Sequence, residues 1–287
     1  MTDAALRPLS FLALDGLAFA ASRGRLEACR ASKTFTAGEL GPTMELFQLD
    51  TDGLLSLREM TSAISLGRMT EMHEAIRTNR TDWLSNDSRL GFFRTTAEPP
   101  INEEPWTEFR VAAQEAAKDA GFPRAIARQF VGALGELRSN IYEHSEASQT
   151  GIVAFRATPG LFEFVVADRG IGILKSLTSC SEHAQLTDHG DALQHALKDG
   201  CSRHGSGMAH GNGFRPIFVG LGNLNGSLRF RSGDHALTID GRDPKHMPWK
   251  KSRKPPISGF FASISCILNG NGVNGSAHEV PATAHTS

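Results

Sequence analysis

Two amphipathic helices running straight into a β-hairpin constrain this chain more than any other stretch of it. Trp106 to Ala120 carries helical spacing and meets Gly121, a residue suited to a helix C-cap. Pro123 stands where a second helix can begin, and that helix runs to about His144. Phe130, Leu134, Leu137 and Ile141 recur at three- and four-residue spacing along it, which makes one buried stripe. Two short strands follow, Ile152 to Ala157 and Leu161 to Ala167, turning at Pro159-Gly160. In the second of them Phe162, Phe164 and Val166 alternate with Glu163 and Val165. A turn this short joins only antiparallel strands, so the helices have to cover a face of the sheet rather than cross over between strands. Further on, a short helix is expected at Asp191 to Lys198, ended by Gly200, and another at Phe214 to Leu224. Strands are expected at Ser227 to Arg231, Ala236 to Ile239 and Phe260 to Leu268. This order argues for an α+β fold, a two-layer α/β sandwich, rather than a doubly wound parallel sheet.

The 287 residues leave room for one large domain or two smaller ones. Ala97-Glu98-Pro99-Pro100 and the following Asn102-Glu103-Glu104-Pro105 form the clearest linker, because paired prolines stop helix and sheet alike. The expected organisation is therefore an N-terminal region at 1–98 without an assignable fold, a domain at 105–268, and a disordered tail at 269–287 rich in Gly, Asn, Ser, Ala and Thr. With 30 basic and 31 acidic residues the formal net charge is −1, which excludes a global basic field for nucleic acid. A single Tyr among few aromatics argues against a base-stacking platform. The longest apolar stretch, Leu9 to Ala21, is interrupted by Asp15 and suits neither a membrane span nor a signal peptide. Cys29, Cys180, Cys201 and Cys266 form no CxxC pair, so reduced thiols and a cytoplasmic location are expected.

Three polar features carry chemistry. Glu136, Asn140 and His144 are spaced by four on the second helix and share a face beside the apolar stripe. Asp168 ends the second strand and opens Asp168-Arg169-Gly170-Ile171-Gly172, where two glycines allow close backbone approach and a sharp turn. An Asp held there can accept a hydrogen bond from an exocyclic amine such as that of adenine. His210-Gly211-Asn212-Gly213 precedes a helix, and a glycine-rich entry to a helix N-terminus presents N–H groups to phosphate. Between them Lys175 to Gly213 reads as a long loop rich in Gly, Ser and His, a candidate lid.

The order Glu136-Leu-x-x-Asn140-x-x-x-His144-Ser145, a hairpin, Val165-Val-Ala-Asp168-Arg-Gly170-Ile-Gly172-Ile173, a lid and Gly211-Asn-Gly213 resembles the GHKL ATP-binding superfamily over roughly residues 105 to 268. That superfamily includes histidine kinases, anti-sigma-factor serine kinases and gyrase. The resemblance implies a Bergerat-type sandwich that binds Mg²⁺–ATP. Asn140 would ligate the metal and Glu136 would polarise the attacking group. Asp168 would read the adenine amine, with Gly170 and Gly172 making room for the base. Gly211 and Gly213 would line the phosphate end, and His144 would lie near the phosphates. Bottom-up chemistry agrees that Mg²⁺ takes a hard oxygen such as an Asn carbonyl. The last strand departs from the family, since Gly259 is followed by Phe260 rather than threonine. The implied activity is a protein kinase or slow ATPase in bacterial signalling, acting with a protein partner or phosphoacceptor. A non-catalytic, ATP-dependent regulator is the alternative.

Two further ligand sets stand outside that reading. Residues 48–59 resemble an EF-hand loop, with Gly53 at the glycine position and Asp50, Asp52, Ser56 and Glu59 at ligand positions, although Gln48 occupies the first. On these residues the chain would be a calcium-sensing adaptor. Cys180-x-x-His183 and Cys201-x-x-His204 have zinc-like spacing within the candidate lid. The basic run from Arg242 to Lys254 reads as a solvated loop between strands.

Overall fold

A computed structural model of the chain describes residues 6–27, 35–60, 63–197, 226–240 and 249–268. The hairpin forms as the sequence implies, from β6 (Ile152–Thr158) and β7 (Leu161–Asp168), paired antiparallel from Thr158 opposite Leu161 to Ile152 opposite Ala167. It sits at the centre of a six-stranded sheet with the order β4-β5-β6-β7-β9-β8, antiparallel at every neighbouring pair. Here β4 is Asp82–Leu84, β5 is Leu90–Arg94, β8 is Ser227–Asp240 and β9 is Trp249–Ile267. The fold is thus an α+β mixture built on an antiparallel sheet. Two of its strands, β4 and β5, precede the proline-rich segment, so the sheet runs across the boundary expected at 98–105.

Residues 227–239, expected as two strands, form one. Ser232-Gly233-Asp234 reads as a turn but is accommodated as a bulge in β8, with register shifts at Ser232/Gly233 and Gly233/His235. A bulge absorbs an extra residue without ending the strand. The basic run is likewise not a loop over its described part: Trp249 to Ser252 pair with Ile239 to Ala236 as the start of β9. Lys251 pairs with Asp191 at 2.7 Å, Arg253 with Asp234 at 3.0 Å and Lys254 with Asp15 at 2.6 Å.

Helices cover one face of the sheet. Glu104–Asp119 forms α4 and Arg124–His144 forms α5, separated by Gly121 at φ 102°. Their buried residues, among them Trp106, Phe109, Phe130, Leu134, Leu137 and Ile141, pack on Val153, Phe155, Phe162, Phe164 and Val166. Phe130 stacks on Phe162 with ring centroids 4.9 Å apart. Two shorter helices complete this side, α6 (Gly172–Thr178) and α7 (His189–Ala196). The short helix expected at Asp191 to Lys198 is thus present as α7, and the start of the stretch expected as a loop, Lys175 to Thr178, is helical as well. The part from 198 to 225, with the helix expected at Phe214 to Leu224, lies outside the described residues, as does the tail.

The N-terminal region forms a third layer on the opposite face. Short parallel strands β1 (Arg7–Pro8), β2 (Phe35–Thr36) and β3 (Ile64–Ser65) lie in the order β1-β2-β3, with α1 (Phe11–Ser22), α2 (Leu40–Thr51) and α3 (Thr70–Arg77). Leu40 to Leu49 are buried throughout, so α2 is surrounded on every side. A helix enclosed this way shows no single apolar stripe, which is why the sequence pattern of the region is uninformative. Apolar residues of this layer pack on Phe92, Ala154, Val165 and Phe261, the residues alternate to those facing α4 and α5. Glu163, which looks solvent-facing by alternation, is buried beneath α2. Its Oε1 accepts the Leu40 N–H at 3.1 Å, and its other oxygen pairs with Arg156.

Buried charge joins this layer to the sheet as well. Glu45 of α2 is fully buried and meets Arg229 Nε at 2.7 Å and also Arg231, both from β8. Asp15 of α1 meets Arg229 Nη2 at 2.6 Å and Lys254 Nζ at 2.6 Å. Arg231 also donates to the Pro255 carbonyl. Every member of the cluster has a partner of opposite sign, which is what allows charges to stay away from water.

Candidate functional site

The Asp168 turn is held from three directions. Asp168 is buried at the end of β7, and Gly170 donates its N–H to Oδ1 at 2.8 Å. Burial pushes the carboxyl up to about 6, opposed by the backbone N–H groups of Gly170 and Phe260. Gly170 lies against the C-terminal end of α5: a Cβ there would overlap the Ser145 carbonyl, and Ile171 donates its N–H to that same oxygen at 2.8 Å. Gly172, at φ 75°, begins α6. Ser232 of β8 then ties the turn to the last strand. Its Oγ accepts the Ile173 N–H at 2.9 Å and donates to the Gly259 carbonyl at 2.9 Å.

Sequence separation hid this arrangement. The bulge in β8 turns Ser232 into the site, and the turn-like reading of its neighbours concealed it. Gly259, at φ 66°, is needed because a Cβ there would overlap the Asp168 carbonyl.

Glu136, Asn140 and His144 lie along α5. The helix rise places Asn140 about 6 Å and Glu136 about 12 Å back along the axis from His144, the end nearest Gly170. Glu136 is exposed and Asn140 partly buried, and neither side chain makes a hydrogen bond or ion pair among the described residues. His144 Nε2 is 3.8 Å from Glu143 Oε2. The structure thus brings Asp168, Gly170 and Gly172 to one end of the helix that carries the polar ridge. Gly211 and Gly213 lie outside the described residues. An uncommitted Asn carboxamide and an uncommitted carboxylate on one helix face suit a hydrated Mg²⁺, which keeps several waters and takes few protein ligands.

The calcium and zinc sets are arranged differently. Asp52 Oδ1 pairs with Arg169 Nε at 2.9 Å, and its Oδ2 accepts the Ser258 N–H at 2.9 Å. Asp50 Oδ1 accepts the Leu57 N–H at 2.8 Å, and Ser56 and Glu59 lie in the turn that follows. Gln48 Nε2 donates to the Ser258 carbonyl at 2.8 Å and to the Asp168 carbonyl at 3.2 Å. Gln48 and Asp52 of the loop read as an EF-hand therefore grip the back of the Asp168 turn, while Asp50 is engaged within the loop itself. Cys180 and His183 lie in the single 3-10 turn after α6, where the His183 N–H donates to the Cys180 carbonyl at 3.1 Å, while Cys201 and His204 lie outside the described residues. Among the described residues no group of three or more His, Cys, Asp or Glu is arranged to hold a metal ion.

No described helix is long and apolar enough to cross a membrane. Comparison with family models, with curated proteins and with solved structures returns no match.

Proposed function

We propose that the chain binds Mg²⁺–ATP in the manner of the GHKL superfamily, with the sheet and its helical face as a Bergerat-type sandwich, and that it acts as a protein kinase or slow ATPase. The observation that carries this reading is the contact of Gly170 with the Ser145 carbonyl, which joins the Asp168 turn to the Glu136–Asn140–His144 helix. Asp168 would accept the adenine amine at one end, and the ridge would lead from there toward the phosphates. Asn140 would hold the metal and Glu136 would orient and polarise the attacking group. The metal, when bound, would neutralise charge on the phosphates.

Isothermal titration with ATP, with and without Mg²⁺, tests binding, and an assay of γ-phosphate release tests turnover. Asn140→Ala should lower Mg²⁺-dependent affinity and activity together. Glu136→Ala should leave affinity nearly unchanged and lower the rate by about 10²–10⁴-fold, because only interactions stronger in the transition state accelerate chemistry. The grip of Gln48 and Asp52 on the Asp168 turn supports a second reading, in which ATP occupancy is sensed by the N-terminal layer without turnover. Tight binding with no phosphate release and no transfer to any protein would select it.

A further inference from the structure

On the sheet face away from α5, a cleft of about 400 Å³ opens between α2 and α3 and the ends of β5, β6 and β7. Its apolar wall includes Phe47, Ile76 and Ile152, and the volume suits a small organic molecule. The His73 ring packs against the buried Phe47 with ring centroids 4.6 Å apart and a tilt of 40°, and His73 and Ile76 are half-buried residues of this wall.

The polar groups of the cleft are unevenly matched. Of its three guanidinium groups, Arg77 is held by Glu74 through two hydrogen bonds, at 2.9 and 2.7 Å, and Arg169 is paired with Asp52. Arg94 has no carboxylate partner among the described residues. It donates only to backbone carbonyls, Ile76 at 2.9 Å and Arg80 at 3.4 Å, which leaves Nη1 without an acceptor among the described residues. Partial burial lowers the Arg94 pKa, as for a cation that has lost some of its water. Two acceptors on the same walls are also uncommitted. Among the described residues Gln48 Oε1 is buried without a partner, and Asp50 Oδ2 makes no hydrogen bond.

We infer that this cleft is a binding site for a small organic anion with a flat apolar body and an N–H donor. The anionic group would meet Arg94, the body would lie against His73 and Ile76, and the donor would reach Asp50. An unpaired, partly buried guanidinium gains most from an anion because its charge-assisted hydrogen bonds form in a weakly solvated setting. The cleft borders the Asp168 turn, since Asp168 and Arg169 line it, but its occupancy by an organic anion does not depend on the nucleotide reading.

The probe is indole-2-carboxylate, which carries all three features, compared with its neutral isostere indole-2-carboxamide. Binding is followed on the full chain by calorimetry and by NMR shifts of the His73 ring and Ile152 methyl groups. The carboxylate should bind with shifts at His73 and Ile152, and the carboxamide should bind roughly tenfold to a hundredfold more weakly. Arg94→Met should lose the preference and Arg94→Lys should keep part of it. The carboxylate–carboxamide pair needs no variant, so the result stands even if Arg94→Met fails to fold. Equal binding of the two probes, shifts confined to other residues, or no binding at millimolar concentration would each overturn the inference.

Discussion

The two faces of the six-stranded sheet are sealed by different physics. Against α4 and α5 the contact is a nearly pure apolar and aromatic layer, with Phe130, Phe155, Phe162 and Phe164 at its centre. Against α1 and α2 an apolar layer is supplemented by the Asp15, Glu45, Arg229, Arg231 and Lys254 cluster and by Glu163 at the start of α2. An apolar face is stabilised in proportion to the area it removes from water and tolerates small changes of register or partner. A buried ionic face tolerates neither, because each charge needs its own counter-charge in place. The helical face therefore supplies bulk stability, and the N-terminal face adds a specified docking geometry.

Breaking the ionic face should give the largest effect. Glu45→Ala leaves Arg231 with only a carbonyl acceptor and takes one of two carboxylates from Arg229. Removing one partner of a buried pair costs about 3–5 kcal/mol, and Glu45 serves two arginines, so the upper end is expected in urea unfolding. Hydrogen exchange should lose protection first in α1 and α2 while the amides of β6 and β7 stay protected. Phe130→Ala should come next, at about 3–4 kcal/mol, with protection lost in both layers at once because the sheet itself loosens. Uniform loss in Glu45→Ala would show that the faces do not separate.

The same contrast explains what the sequence disclosed. The helical face was legible because its signals are local: Gly121 ends one helix, Pro159-Gly160 turns the hairpin, and Phe162, Phe164 and Val166 alternate along one strand. The ionic face was not legible, since Glu45 and Arg229 stand 184 residues apart and no periodicity links them. Glu163 misled by its position, for alternation places it opposite the helices and cannot tell solvent from a second layer. At the candidate site Asp168, Gly170 and Gly172 were legible as a compact motif. Ser232 was hidden in a bulge, and Gln48 and Asp52 matched a different motif while serving the turn from behind.

Asp168 sits where the two faces meet, and its titration reports on both. Its carboxyl titrates near 6 in the folded chain, against about 3.9 when unfolded, so ionisation disfavours the folded state. The stabilising contribution is complete below about pH 4 and is lost as pH rises through about 6, a change of about 3 kcal/mol. Asp168→Asn should flatten this part of the pH–stability profile relative to wild type. If the nucleotide reading holds, the same variant should bind ATP roughly tenfold or more weakly while remaining folded. A profile unchanged by the substitution would remove the buried carboxyl as its cause.

The smallest effect probes the link between the faces. Asp52 belongs to the N-terminal layer, yet both of its oxygens are engaged at the turn, one by Arg169 and one by the Ser258 N–H. Arg169 is 39% exposed, so solvent screens the pair and its loss should cost under about 1 kcal/mol. The Ser258 hydrogen bond adds about 0.5–1.5 kcal/mol. Asp52→Asn removes the charge but keeps an acceptor for Ser258, whereas Asp52→Ala removes both, so the alanine variant should be the less stable of the two. The Gly170 amide is the local reporter, since it answers to Asp168 Oδ1 and Asp168 is flanked by Arg169. Its NMR shift should move in Asp52→Ala with global stability nearly intact, which would mean that the N-terminal layer sets the shape of the turn as well as covering it. An unmoved Gly170 signal in Asp52→Ala would leave the two faces energetically independent at this point, with α2 serving only as a cover.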